Sequence, residues 1–466
     1  MIFQIFTLEN YKGISDKVTI DLTEGKEGFP YSLVGNNESG KTTILKGIEL
    51  IGQLCSGLVL QNGKLASIRP KEAYFNGETT LSAIILLDQS EIDKISGQGK
   101  ANIQNLIINN GNKIEIKFIY KFNNSSFEEH KRKLIINTEE QTRDFNIFEI
   151  ITTNAPEIIY YDDFKFDVPD KIRFLKKNIK DQKPELAKDP LLNSEQNVLW
   201  QKIFNDLLIG SSKKSGKAQS NQFQRDIIDW SSENEGDEDA VDQRLVAIND
   251  YLNNVITNDW EDITGEKSVF DRFNIKRTNS INTDFIDFSL KVEAKGKSFS
   301  LHERSKGCKW FFCFKILTDI RKHRNDKGTL FLLDEPASNL HIHPQEKILT
   351  SLEKLSATEK SSVIFSTHSP FLIQPENKEN IFVVSNISDD SDDSPKIVCD
   401  KLKDYKLTSE KSIRSIEPIL NKIASSVIIS SGATWKERLS KLPKIAGGIN
   451  ECIDLLKNIF EFSKTS

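Results

Sequence analysis

Two clusters of residues, far apart in the chain, are equipped for chemistry. The first is Gly35-Asn36-Asn37-Glu38-Ser39-Gly40-Lys41-Thr42-Thr43, which fits G-x-x-x-x-G-K-[ST], the phosphate-binding P-loop. Its glycines let the backbone curl so that successive N–H groups point inward at phosphate oxygens. A helix starting at the same place adds partial positive charge. Lys41 can then reach β- and γ-phosphates, and the Thr42 hydroxyl can ligate Mg²⁺. The second cluster closes Thr329-Leu330-Phe331-Leu332-Leu333-Asp334-Glu335-Pro336, an apolar run ending in adjacent carboxylates. Such a run reads as a buried parallel strand, and an α/β sheet presents ligands at the C-terminal ends of its strands. Asp334 is placed to hold Mg²⁺ through water, and Glu335 to polarise an attacking water.

Positioning these groups requires a strand before the glycine-rich loop and a helix after it. Tyr31-Ser32-Leu33-Val34 reads as the short buried strand, and Ile44 to Ile51 as the amphipathic helix. Upstream, Phe3, Ile5 and Thr7, then Val18, Ile20 and Leu22, alternate as a hairpin around the turn Asn10-Tyr11-Lys12-Gly13. Residues 75–145 are rich in strand patterns, notably Thr80 to Leu87, Lys113 to Tyr120 and Lys133 to Ile136. They predict an antiparallel sheet flanking the loop. Pro156 to Asp163 predicts a buried strand ending in the carboxylates Asp162 and Asp163.

From about 166 to 265 helical periodicity takes over, with Leu199, Trp200, Ile203, Leu207 and Leu208 on one face and a further helix over Arg244 to Trp260. Ser211 to Asn221 and the acidic Ser231 to Asp242 predict mobile surface loops. Strands return at Phe285 to Val292, Val363 to Phe365, Ile381 to Val384 and Lys396 to Val398, and residues 401–466 read as mostly helical, notably Ile449 to Phe460.

Composition sets the outer bounds. The 466 residues are 37% hydrophobic and 28% charged, as in soluble globular proteins with two or three domains. A net charge of −5 gives no general basic footprint, so nucleic-acid binding would need a local patch. The five cysteines, Cys55, Cys308, Cys313, Cys399 and Cys452, form no C-x-x-C pair and read as reduced thiols. With no membrane-length apolar run and no signal-peptide core, the expectation is a cytoplasmic protein without a membrane partner.

Three more segments fall in a telling order. Glu303-Arg304-Ser305-Lys306-Gly307 precedes the aromatic Trp310-Phe311-Phe312-Cys313-Phe314. Ser338-Asn339-Leu340-His341 follows the carboxylates, and Ser366-Thr367-His368-Ser369-Pro370 follows a strand. P-loop, Ser-x-Gly signature, Asp-Glu, D-loop and switch His in this order resemble the ABC-type ATPase heads of the RecF, SMC and OLD (overcoming lysogenization defect) group. The resemblance covers roughly residues 1–165 and 265–400. Glu-Arg-Ser-x-Gly before an aromatic helix is similar to OLD-type and related antiphage-defence ATPases.

The resemblance implies an α/β fold: a mixed sheet with an antiparallel β subdomain, a helical insertion and a mostly helical C-terminal region. The expected divisions are 1–165, an N-terminal head lobe; 166–265, the insertion; 266–400, a C-terminal head lobe; and 401–466, the helical end. It implies ATP and Mg²⁺ as ligands and an ATP-sandwiched homodimer or higher assembly. Ser305 and Gly307 would meet the γ-phosphate held by a second subunit, with Ser338 and Asn339 beside it, while His368 senses the same phosphate and Lys12 reaches the phosphates of its own subunit.

The sequence departs from the family in three ways: the signature is incomplete, no long coiled coil is present, and no Q-loop is evident. Asp163 stands where a Q-loop should start, as a metal-ligand candidate, and Gln89 is a weaker alternative. Only Asp389 to Asp393 offers an acidic cluster after His368, and it reads as a solvated turn rather than a nuclease centre. The leading expectation is therefore a stand-alone antiphage ATPase of PARIS or Septu type, controlling a separately encoded effector, with DNA or a phage protein as a further partner class. The alternatives are a RecF-like DNA-binding repair ATPase, a compact OLD-type nuclease and a non-hydrolysing structural head.

Overall fold

The structure, a computed structural model, describes residues 1–72, 74–96, 101–141, 145–162, 168–175, 185, 188–214, 245–254, 256, 270–278, 284–316, 328–336, 338, 342–388, 395–406, 414–420 and 422. The chain divides into two compact units. One comprises Met1–Tyr161, Lys327–Pro336 and Leu349–Ser466, and the other Asp162–Asp326 and Ala337–Ile348.

The first unit carries two sheets. In chain order its strands are β1 (Ile2–Glu9), β2 (Val18–Asp21), β3 (Tyr31–Val34), β4 (Gly77–Leu86), β5 (Lys113–Asn123), β6 (Ser126–Ile136), β7 (Glu139–Gln141) and β8 (Glu157–Asp162). The second unit contributes β9 (Ile172–Leu175), β10 (Arg272–Thr278), β11 (Phe285–Ala294) and β12 (Lys297–Ser300). The first unit then resumes with β13 (Thr329–Asp334), β14 (Ser361–Thr367), β15 (Ile381–Asn386) and β16 (Ile397–Lys401).

One sheet of the first unit runs β2-β1-β4-β5-β6-β7, with neighbouring strands antiparallel throughout. The other runs β16-β15-β3-β14-β13-β8. Within it β15, β3, β14 and β13 are parallel and β16 is antiparallel to β15. This is the expected mixed α/β architecture, a mixed sheet beside an antiparallel one. Every residue of β3 and β13 is buried, as parallel strands covered on both faces require.

The helix Lys41–Cys55 lies between the two sheets. A Cβ on Gly47 would meet Leu8 Cδ1 of β1 at 2.7 Å, and one on Gly52 would meet Ile158 Cδ1 of β8 at 2.3 Å. Its buried Ile44, Leu45, Ile48 and Ile51 join Leu81, Ile85, Leu332 and Ile364 in one core. Both sides of this helix are therefore gripped, and its N-terminus is fixed at the strand ends.

In the second unit β11 is the spine. It pairs with β10 along one edge, and with β12 and β9 in succession along the other, all antiparallel. Arg173 on β9 forms a two-pronged bond to the buried Asp287 on β11, at 2.8 and 2.9 Å. The helix Glu195–Lys214 sets Trp200, Ile203, Phe204 and Leu207 into the core, with the Phe204 ring 4.7 Å from that of Phe288. Trp200, Ile203 and Leu207 of its predicted apolar face are thus core residues, and Leu199 is half-buried.

Several expectations need correction. β9 falls inside the stretch read as helical. Ser211 to Lys214, read as the start of a loop, complete the helix, and Ser211 is buried. β7, β10 and β12 were not foreseen. Lys401 ends a strand instead of starting a helical region; residues 414, 415 and 417–420 are helical. The expected segments Ser231 to Asp242, Asp389 to Asp393 and Ile449 to Phe460 lie outside the described residues. Among the described residues no helix is long and apolar enough to cross a membrane.

Candidate functional site

The glycine-rich loop leaves the buried end of β3 and turns into the helix Lys41–Cys55. Gly35 is required by proximity, because a Cβ there would sit 2.3 Å from the Val384 carbonyl oxygen of β15. Gly40 is required twice over. Its φ is 105°, and a Cβ would meet Ile397 Cδ1 of β16 at 2.5 Å. Glu38, at φ 64°, takes the other left-handed step of the loop. Gly40 is the helix N-cap and has no side chain to satisfy the first-turn N–H groups, which leaves those donors for another acceptor.

Lys41 is buried and folded back along its own loop. Its Nζ donates to the carbonyls of Gly35 at 2.8 Å and Asn36 at 2.9 Å, and lies 3.4 Å from Glu335 Oε1. The other oxygen of Glu335 is 2.9 Å from His368 Nδ1. The three side chains thus form one chain, Lys41–Glu335–His368, assembled from the P-loop helix and the ends of β13 and β14. Burial draws the Lys41 ammonium below its ordinary value, partly offset by the Glu335 and Asp334 charges. Burial pushes the Glu335 carboxyl up, but the His368 bond and the Lys41 charge outweigh it and hold it below the usual carboxylate value. The same bond to Glu335 raises His368 above the ordinary imidazole value, against the effect of burial.

Asp334, the last residue of β13, is held on both oxygens by hydroxyls. Ser366 Oγ donates to Oδ1 at 2.5 Å, and Tyr160 donates to Oδ2 at 3.0 Å. Ser366 also accepts the backbone N–H of Glu335 at 2.9 Å. These two hydroxyls were missed as site residues. Each lies on a strand beside β13, and only that strand pairing brings it to Asp334.

Of the other expected residues, Thr42 is exposed at the helix start, Thr43 half-buried, and Asn37 exposed on the loop. Ser39 is buried, and its hydroxyl has no hydrogen-bond partner. Lys12, at φ 53°, lies in its predicted turn with its ammonium 5.2 Å from the Tyr11 ring centre. That turn adjoins the loop: the Gly13 carbonyl accepts from Ile397 N, and the Ile397 side chain packs against Gly40. Gln89 donates to Asp93 at 2.8 Å within its own helix. In the second unit Ser305 caps the helix Lys306–Lys315, accepting from Cys308 N at 3.3 Å, and Gly307 lies in its first turn. Ser338 is an exposed turn residue; Asp163 and Asn339 lie outside the described residues.

The loop suits a polyphosphate. It offers uncapped helix N–H donors, a buried lysine whose partners are carbonyl oxygens and one carboxylate, and an unsatisfied buried hydroxyl at Ser39. A family model described as AAA ATPase domain matches residues 1–373. The chain belongs to that family. As an AAA ATPase domain protein it is a nucleotide-binding ATPase.

Among curated proteins, the uncharacterized protein MJECL43 of Methanocaldococcus jannaschii is 32% identical over 84 residues, which is 17% of this chain and 21% of that protein. The match thus spans about a fifth of that relative's length. Similar solved structures include an SMC head bound to the C-winged helix domain of ScpA, with a TM-score of 0.47 at 12% identity, covering 86% of this chain and 98% of that one. An SMC head with an extended coiled coil, bound to the C-terminal domain of ScpA derived from Pyrococcus furiosus, has a TM-score of 0.44 at 16% identity, covering 90% and 99%.

Proposed function

We propose that this AAA ATPase domain binds ATP in the loop 35–43 and hydrolyses it with Glu335 orienting the attacking water and His368 sensing the γ-phosphate. The supporting observation is the Lys41–Glu335–His368 chain, which brings together a phosphate-binding ammonium, a carboxylate held ionised and an imidazole from three separate elements. Lys41 and the helix N–H groups would hold the phosphates, and Ser39 would give them a hydroxyl donor. Thr42 and Asp334 would hold Mg²⁺, with Asp163 a further candidate; among the described residues no preformed cluster of three or more metal-binding side chains exists. When bound, Mg²⁺ neutralises charge on the transferring phosphoryl group. Lys12 reaches the same phosphates from the adjoining turn. Ser305 and Gly307, with Ser338 and Asn339, complete the site of a second copy, so that ATP joins two heads in a homodimer.

On this reading the chain is the sensor and scaffold of an antiphage system that controls a separately encoded effector. Support for that step is the Glu303-Arg304-Ser305-Lys306-Gly307 segment and its aromatic helix, which resemble OLD-type defence ATPases. Nuclease activity is not part of the proposal. DNA cleavage by the lone chain, lost on substituting Asp390 and Asp392, would replace it with the compact nuclease.

The test is Glu335→Gln. The variant keeps Asp334 and Lys41 in place but loses the carboxylate that orients water, so phosphate release should fall by about 10²–10³-fold while ATP binding persists. Light scattering in the presence of ATP should then show the dimer accumulate. Unchanged turnover would remove Glu335 from its role, and turnover lost without dimer would remove the sandwich.

A further inference from the structure

Adjacent carboxylates at a strand end face a geometric conflict. Successive side chains of a strand point to opposite faces, so a continued β13 would aim Glu335 away from the side that Asp334 serves. The chain avoids this at one peptide. Glu335 takes φ 50°, a left-handed conformation that a residue with a Cβ adopts only when its surroundings hold it there. Its N–H leaves the strand ladder and is donated to Ser366 Oγ at 2.9 Å, while the same hydroxyl gives its only proton to Asp334 Oδ1.

The strand register makes this possible, since Asp334 and Ser366 are direct partners across β13 and β14. Ser366 is completely buried, so water cannot take over either bond. A hydroxyl that donates to a carboxylate also becomes a better acceptor, so the two bonds strengthen each other. The neighbouring Thr367 does something else: its hydroxyl accepts from Ser369 N, in the turn that follows.

We propose that Ser366 is a positioning residue for hydrolysis, fixing Asp334 and holding Glu335 turned toward Lys41 and His368. This rests on the ATP-hydrolysis reading above. Ser366 acts through its neighbours, since the bonds of Lys41 go to Gly35, Asn36 and Glu335. The two carboxylates depend on it unequally. Asp334 has a second anchor in the Tyr160 hydroxyl, whereas the bond to Ser366 is what takes the Glu335 N–H out of the ladder. Loss of the Ser366 hydroxyl should therefore damage the water-orienting group more than the binding apparatus.

The experiment measures kcat and ATP Kd separately for Ser366→Ala, with Ser366→Cys beside it and Glu335→Gln as reference. A displacement of about 1 Å in an orienting group costs about a hundredfold in rate, so kcat should fall by about that factor in Ser366→Ala. ATP Kd should stay within about threefold, the pattern of an interaction that matters in the transition state. If Ser366→Ala does not fold, Ser366→Cys carries the test, because a thiol is a weak partner of similar shape. Wild-type kcat in the folded variant, or kcat and affinity falling together, overturns the proposal. Wild-type turnover in Glu335→Gln instead overturns the hydrolysis reading itself, so the two failures are distinguishable.

Discussion

At the scale of single residues, the site is a set of charges that restrain one another. Lys41 is neutralised by Glu335, and Glu335 is shared with His368, so each carries a perturbed proton affinity. His368 is raised, so its stabilising share is complete below the free imidazole value and is lost as pH rises through the folded value. Glu335 is lowered, so its share is present above the ordinary carboxylate value and is lost as pH falls through the folded one. The two overlap between roughly pH 4.5 and 6.5. In nucleotide-free protein the melting temperature of the wild type should therefore exceed that of His368→Ala most near about pH 5.5, and the gap should narrow as pH rises through the raised imidazole value. A gap that grows with pH would mean that the imidazole is not paired with Glu335. Lys41, Asp334, Glu335 and His368 were all legible in the sequence because each sits in a short motif with a fixed neighbour. Tyr160 and Ser366 were not, because their importance comes from a partner 174 and 32 residues away, and no local spacing records such a pairing.

Elements set the tolerance of the site. The loop is wedged against β15 and β16, so its glycines serve packing as much as phosphate approach. Gly35→Ala would press a methyl group onto the Val384 carbonyl, which is backbone and cannot swing aside. The expected cost is about 1–3 kcal/mol, read from urea unfolding. An unchanged midpoint would show that β15 yields at that point. Strands buried on both faces, such as β3 and β13, were plain in the sequence as apolar runs. β10 was not, because Arg272-Phe273-Asn274-Ile275-Lys276-Arg277-Thr278 buries only Phe273 and Ile275. β9 has four residues, of which only Ile172 is buried, and exists because β11 offers it a partner more than a hundred positions downstream. Pairing across such separations, rather than propensity, decides these short strands.

For the whole molecule, the proposed dimer makes a claim that a single chain cannot satisfy. Lys41 belongs to the first unit and Ser305 to the second. If each site takes its loop from one copy and its signature from the other, Lys41→Ala and Ser305→Arg chains are each inactive alone. Mixed, they place both lesions in one site and leave the other intact. Part of the hydrolysis rate should return on mixing, measured by phosphate release. No recovery, when mass spectrometry shows that the mixed dimers form, would rule out shared sites.

The strand order of the mixed sheet also governs how the protein is made. Tyr31 on β3 pairs with Ile364 on β14, and Ile381 on β15 pairs with Ser32. A ribosome adding roughly 5–20 residues per second takes tens of seconds to reach those partners. Throughout that interval the segment leading into the phosphate loop has neither neighbour, although all four of its residues end up buried. Nascent chains stalled before β14 should therefore neither retain ATP nor resist proteolysis at β3, and this segment is the place where a chaperone would be needed during synthesis.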